Sequence, residues 1–195
     1  MKKALIVVDM QNDFITGALA NKEGQKIVAK IADFIRNFEG DVVATRDTHE
    51  ANYMETQEGR KLPVPHCIRG TKGWEIVSEI QAALDEKDSG DYIVTYMNKP
   101  TFGCIGLGEH VDRNLYDEVV LVGVCTDICV ISNAMVIKAS DLEAEVTVLE
   151  DLCAGVTPDS HKTALEAMKA CQINVMTSEK LCELTSSKIR ELDER

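Results

Sequence analysis

The chain has 195 residues, enough for a sizeable hydrophobic core, with 33 acidic against 21 basic side chains and a net charge of -12. That balance offers no basic patch for a nucleic-acid backbone or an anionic lipid surface, and no apolar run approaches a membrane span, so neither is expected as a partner. Seven cysteines without regular spacing, behind an N-terminus (MKKALIVVDMQNDF) too short in apolar residues for a signal peptide, suit reduced thiols in the cytoplasm better than a disulfide framework.

In chain order, the apolar residues 4–8 predict a buried first strand ending at Asp9. Residues 24–39 place Ile27, Val28, Ile31, Ala32, Ile35 and Phe38 at helical spacing, closed by Gly40, and residues 42–45 form a second strand. Periodicity is absent over residues 46–73, where prolines and glycines punctuate a connection too long for an ordinary loop, which signals function. A helix over 74–84 and a third strand over 92–97 follow, broken at Asn98-Lys99-Pro100; then comes a glycine-rich segment of no clear regularity around Gly103, Gly106 and Gly108. The run 119–124 reads as a strand buried on both faces, and the apolar positions from Ile128 to Ile137 as a helix that Thr126 and Asp127 could cap. A fifth strand (145–149), a helix (159–171), a sixth strand (173–176) and a last helix capped by Ser178 complete the chain.

Strands alternating with helices predict a single α/β domain over residues 1–195, a three-layer α/β/α sandwich around a mainly parallel, Rossmann-like six-stranded sheet. Ligands of such sheets bind at the carboxyl ends of the strands, where Asp9, Asp47, Lys99 and Cys129 all fall. Cys129 lies in the first turn of its helix, where unpaired N–H groups and the macrodipole favour a thiolate. With Asp9 as base and Lys99 as cation it forms a nucleophile constellation, and the backbone amides of Cys125 and Cys129 are candidate oxyanion donors. Taken singly each residue has a bland reading: a small buried hydrophobe, a carboxylate on backbone amides, a solvated strand end. Asp47, His49 and the distant His66 have the composition of a carboxylate and imidazole metal site, although a lone D-x-H is weak evidence.

The segments IVVDMQNDF, DTHEANYMETQEGRKLPVPHC, NKPTFG and GVCTDICV, in this order and spacing, resemble the isochorismatase-like cysteine hydrolases and, within them, the nicotinamidase branch. The resemblance implies an Asp9-Lys99-Cys129 triad with Cys125 a bystander, a cis peptide at Val124-Cys125, and a divalent transition metal, zinc with manganese or iron as alternatives, held by Asp47, His49 and His66. It implies a small-amide hydrolase, foremost nicotinamide to nicotinate and ammonia, working as a homo-oligomer. Two departures stand out. Many relatives carry a further ligand between the two histidines, often a histidine; here Glu58, with Glu55 second, is the candidate. Nicotinamidases also often place a tryptophan shortly before the last metal histidine, where this chain has Leu62-Pro63-Val64-Pro65. Phe14 and Tyr53 are then the expected ring walls for substrate, and Trp74 a packing residue. The competing readings are hydrolysis of another small amide, a catalytically silent binding member of the fold, and an oxidoreductase. The last is disfavoured because residues 103–108 are not a G-x-G-x-x-G fingerprint and Cys125 and Cys129 are not a C-x-x-C pair.

Overall fold

Six short runs, of which β1 and β4 are the richest in valine, isoleucine and leucine, pair side by side, all in parallel, in the order β3-β2-β1-β4-β5-β6. The strands are β1 (Lys3–Val8), β2 (Asp41–Asp47), β3 (Val94–Lys99), β4 (Glu118–Val124), β5 (Glu145–Ala154) and β6 (Asn174–Met176). They come from a computed structural model that describes residues 2–193. Successive side chains of a strand face opposite ways, so β1 sends Leu5 and Val7 into one core layer and Ile6 and Val8 into the other, and β4 does the same with Val120, Val122 and Val119, Leu121. All seven residues of β4 are buried, which explains why its sequence shows no polar alternation.

The first layer is closed by helices α2 (Lys22–Asn37), α4 (Ser78–Asp88) and α8 (Ser178–Asp193), which contribute Ile31, Ile35, Ile80, Leu84 and Leu181. The second is closed by α5 (Ile105–Asn114), α6 (Ile131–Ser140) and α7 (Pro158–Ala170), with Leu107, Val111, Ala134, Ile137 and Met168. Two one-turn helices, α1 (Asn12–Ile15) and α3 (Gln57–Lys61), lie in the connections near the site. This is the α/β sandwich the pattern predicts, and no helix among the described residues is long and apolar enough to cross a membrane.

Four local expectations are corrected. The glycine-rich segment contains a helix, α5: Leu107, Gly108 and Val111 form its buried face, and Gly108 is where α6 passes so close that a Cβ would lie 2.2 Å from Ser140 Oγ. Helix α4 starts at Ser78, four residues later than its apolar periodicity suggests, because Ile76 pairs with Gln11 in a bridge and Val77 N–H donates to Met10 O. Strand β3 runs on to Lys99 instead of breaking before it. At the last helix it is Thr177 Oγ1 that accepts a first-turn amide, from Lys180, while Ser178 binds Asp151 through both its N–H and its hydroxyl.

Candidate active site

The strand order reverses between β1 and β4, and the chemistry-bearing residues gather at the carboxyl ends of the strands around that point. Asp47 and Lys99 are register partners in the β2–β3 ladder, so the ladder itself sets them side by side, with Nζ 3.6 Å from Asp47 Oδ1. Asp9 follows β1 in the left-handed region (φ 50°), which aspartate tolerates better than most residues. Thr45 on β2 fixes it: Asp9 N–H donates to Thr45 Oγ1 (3.2 Å), and that hydroxyl donates to Asp9 Oδ1 (2.7 Å). Oδ2 remains, 2.6 Å from Lys99 Nζ in an ion pair that lacks the alignment of a hydrogen bond and leaves Oδ2 with no hydrogen-bond partner among the described residues. Lys99 also donates to Thr101 O (3.1 Å) and lies 3.6 Å from Cys129 Sγ. Asp9, Lys99 and Cys129, far apart in sequence, are therefore brought together, and all three side chains are buried.

Cys129 arrives on a five-residue π turn, Thr126–Val130, that leads into α6. The peptide between Val124 and Cys125 is cis, as the resemblance implies. Ile128 and Val130 N–H both donate to Cys125 O at 3.0 Å, and the Cys125 N–H makes no hydrogen bond among the described residues. Just upstream, Gly123 (φ 118°) lets β4 meet β1 backbone to backbone; a Cβ there would lie 2.2 Å from Val8 O. Asn133, near the start of α6, donates to Cys129 O (2.8 Å) and Phe102 O (3.1 Å) and accepts from Cys104 N–H (2.9 Å), tying the Cys129 turn to the segment after β3.

Electrostatics correct the expectation of a resting thiolate. Burial, then the neighbouring Asp9 carboxylate, push the Cys129 thiol well above its ordinary range, and Lys99 only partly opposes them. Thr126 and Asp127 do not cap the turn: Thr126 Oγ1 pairs with His161 Nδ1 (2.8 Å) and Asp127 Oδ1 accepts from Val156 N–H (3.0 Å). Burial likewise raises Asp9, against the pull of Lys99, while Lys99 is lowered by burial but held charged by Asp9, Cys129 and Asp47 together. Three acids thus share one ammonium, and a proton has a short path between Cys129 and Asp9.

Beside the triad, Asp47, His49 and His66 place ligand atoms within 4.8 Å of one another. A parallel bridge between His49 and Ile68, with Cys67 O accepting from His49 N–H (3.0 Å), folds the loop back and brings the second histidine in. His49 Nε2 is 3.1 Å from Asp47 Oδ2, and His66 Nε2 is 3.5 Å from the same oxygen. Among the described residues buried His49 Nε2 has no hydrogen-bond partner, a cost that a coordinate bond would remove. His66 Nδ1 is tied to Val64 O (2.8 Å), an arrangement that fixes Nδ1 as the protonated nitrogen and turns the Nε2 lone pair toward the cluster. These donors fit a divalent transition metal. Glu58 Oε1 stands 3.7 Å from His49 Nε2 and 3.9 Å from His66 Nε2, whereas Glu55 is exposed, so Glu58 is the carboxylate in place. Burial raises Asp47, but the two imidazoles and Lys99 together bring it below the usual carboxylate range.

The isochorismatase domain family matches residues 3–180. The chain belongs to the isochorismatase family. It is 33% identical to the nicotinamidase/pyrazinamidase of Mycobacterium tuberculosis over 90% of this chain and 99% of that one. It superimposes on the nicotinamidase/pyrazinamidase of Bacillus subtilis with a TM-score of 0.76 at 30% identity, covering 90% of this chain and 100% of that one. A pyrazinamidase of Pyrococcus horikoshii in complex with zinc superimposes with a TM-score of 0.73 at 32% identity, covering 91% and 99%.

Within this isochorismatase-family site the two expected ring walls take different places. Phe14, half-buried in the segment leaving β1, stands 5.6 Å from the His66 ring between centroids. Tyr53 is 1% exposed, packs against His49 (4.7 Å) and His66 (5.1 Å), and donates its hydroxyl to Leu62 O: it buttresses the imidazoles from a buried position. Trp74 donates Nε1–H to Thr48 Oγ1 (2.8 Å), between the first two metal candidates in sequence, and lies under the Arg46 guanidinium. Sequence reasoning missed Gln11, whose side chain clamps Asp47 through both the Asp47 N–H (2.7 Å) and the Asp47 C=O (2.8 Å); in sequence it is one polar residue of the MQNDF segment after β1. For Thr45 and Asn133 no sequence signal marks the role.

Proposed function

We propose that this chain is a metal-dependent cysteine amidohydrolase whose preferred substrate is nicotinamide, released as nicotinate and ammonia. The observation that carries the reading is a buried carboxylate, ammonium and thiol in mutual contact beside a histidine-rich cluster with an unpartnered imidazole nitrogen. Asp9, Lys99 and Cys129 act as base, cation and nucleophile. Asp47, His49, His66 and Glu58 would hold the metal, zinc first and manganese or iron as alternatives, which when bound supplies a Lewis acid to orient the pyridine nitrogen and water.

The chain's own steps balance as follows. Cys129 Sγ attacks the amide carbon as its proton passes to Asp9, and the carbonyl electrons move onto oxygen, facing the backbone N–H groups of Cys125 and Cys129. The carbon–nitrogen bond then breaks and Asp9 returns the proton to the departing nitrogen, giving ammonia and a thioester. Water adds to the thioester, its proton again taken by Asp9; the carbon–sulfur bond breaks and the thiolate recovers that proton. Lys99 stays charged throughout and offsets the negative charge that Asp9 and the sulfur exchange. Phe14 covers one ring face.

Hydrolysis of another small amide is the second reading, favoured by the missing tryptophan before His66 and by the buried position of Tyr53, which leave one ring face less defined. Steady-state kinetics of ammonia release from nicotinamide, pyrazinamide and aliphatic amides by metal-loaded protein decide between them: nicotinamide should have the highest kcat/KM, and a tenfold better aliphatic amide would replace it. We further propose a cytoplasmic homo-oligomer, supported by free cysteines and by exposed Phe102 and Ile105 beside the site; a solution mass of 21.5 kDa at micromolar concentration would refute the assembly.

A further inference from the structure

A cavity of about 280 Å³ opens where the first turn of α7 faces the N-terminal half of α2, at the carboxyl end of β5. Its charge runs against that of the molecule. Lys26, Lys30 and Lys162 line it with Glu23 as the single lining acid, in a chain of net charge -12. Glu23 is held by Lys26 at 2.7 Å on the exposed side of α2, and among the described residues Lys30 and Lys162 make no ion pair. Three ammonium groups against one carboxylate leave two positive charges, the complement of a phosphate monoester near pH 7. His161, also in the lining, is kept neutral there because burial lowers its imidazole; the acids that act on it, Glu150 and Asp127, stand outside the lining.

Two contacts run from this cavity to the nucleophile's turn. His161 Nδ1 pairs with Thr126 Oγ1 (2.8 Å), and Gly155 O accepts from Asn21 Nδ2 (2.9 Å), which lies 3.8 Å from Cys125 Sγ. There is no slack between the walls: a Cβ on Gly155 would come within 2.9 Å of the His161 backbone. We propose that the cavity binds a small phosphate monoester and that its occupancy is transmitted through His161 to the Cys125–Thr126 turn. None of the residues proposed for catalysis or metal binding lines the cavity, so this is a separate site.

The test is calorimetric titration of the metal-loaded full chain with ribose 5-phosphate, which does not depend on the proposed activity. Binding at about 1 mM or tighter is expected. Lys30→Ala/Lys162→Ala, two exposed positions whose loss leaves the fold intact by its Tm, should weaken binding about tenfold or more. Absence of binding, equal binding to the double variant, or equally tight binding of benzoate would overturn the assignment. Transmission is read from amide spectra: Thr126 N–H should shift on saturation in the parent and lose that shift in His161→Ala, whereas an unmoved Thr126 in the parent would refute the coupling.

Discussion

Lys99→Met isolates the charge that the site is built on. Lys99 is 1% exposed, and its ammonium lies against Asp9 (2.6 Å), Asp47 (3.6 Å) and the Cys129 sulfur (3.6 Å) at once. Methionine keeps most of the apolar stem, so the packing loss is small and the effect is electrostatic. Removing one partner of a buried pair costs about 3 to 5 kcal/mol, or roughly 150- to 5,000-fold in the folding equilibrium. Asp9 can relieve part of this by taking up a proton, since burial already raises its carboxyl above the unfolded value. The sign follows: a raised acid binds more protons folded than unfolded, so stability falls as pH rises from the unfolded carboxylate range toward the raised folded one. The deficit of Lys99→Met should therefore be larger at pH 8 than at pH 5.5, by about 1 kcal/mol or more. Urea unfolding at both pH values, with metal content held fixed, measures it, and Lys99→Met/Asp9→Asn should recover about 2 kcal/mol relative to the sum of the single losses. Additive losses, or a Lys99→Met cost below about 1 kcal/mol at every pH, would refute the ion-pair account.

Cys129→Ala should lower turnover by about a thousandfold or more, whereas Cys125→Ala, whose thiol is pushed up to about 11 by burial, should stay within about tenfold of the parent; equal losses would reassign the nucleophile. Elemental analysis should find one divalent transition metal per chain, weakened about 10- to 100-fold by His49→Ala or His66→Ala, with Glu58→Gln intermediate and Glu55→Gln neutral; the reverse order of the two glutamates would move the fourth ligand. Gly123→Ala should cost about 3 kcal/mol or more, because the new Cβ meets Val8 O at 2.2 Å in a left-handed conformation; a Tm within a degree of the parent would show that β1 and β4 can part there.

How far the sequence could be read depended on whether a feature was local. Strands β1 and β4 announce themselves as unbroken apolar runs because both faces are buried, and α2 as a clean amphipathic pattern. Helix α5 was hidden because its close packing on α6 requires glycine, a residue that weakens a helical signal. Helix α4 was misplaced because Ile76 and Val77 are apolar for the sake of the bridge to Gln11 and the core, and happen to continue the helix period. That Asp9, Lys99 and Cys129 lie together could be expected from strand ends and family motifs, yet their protonation could not: the N-terminal position of Cys129 suggested a thiolate, and only the three-dimensional burial beside Asp9 reverses that. Gln11, Thr45 and Asn133 each act through two or three hydrogen bonds to residues about 30 or more positions away or to backbone atoms, a role with no composition of its own.

The strand order places β3 at the rim of the sheet, paired among the described residues only with β2, and Lys99 is its last residue. Rim strands exchange their amide hydrogens through local openings well below the global unfolding energy. A slip of one position along β2 would turn the ammonium to the opposite side of the sheet. Asp9 and Cys129, by contrast, follow two interior strands. Activity therefore has a weaker hinge than structure: mild denaturant or modest heating should silence the enzyme by fraying one outer strand while circular dichroism still reports a folded molecule.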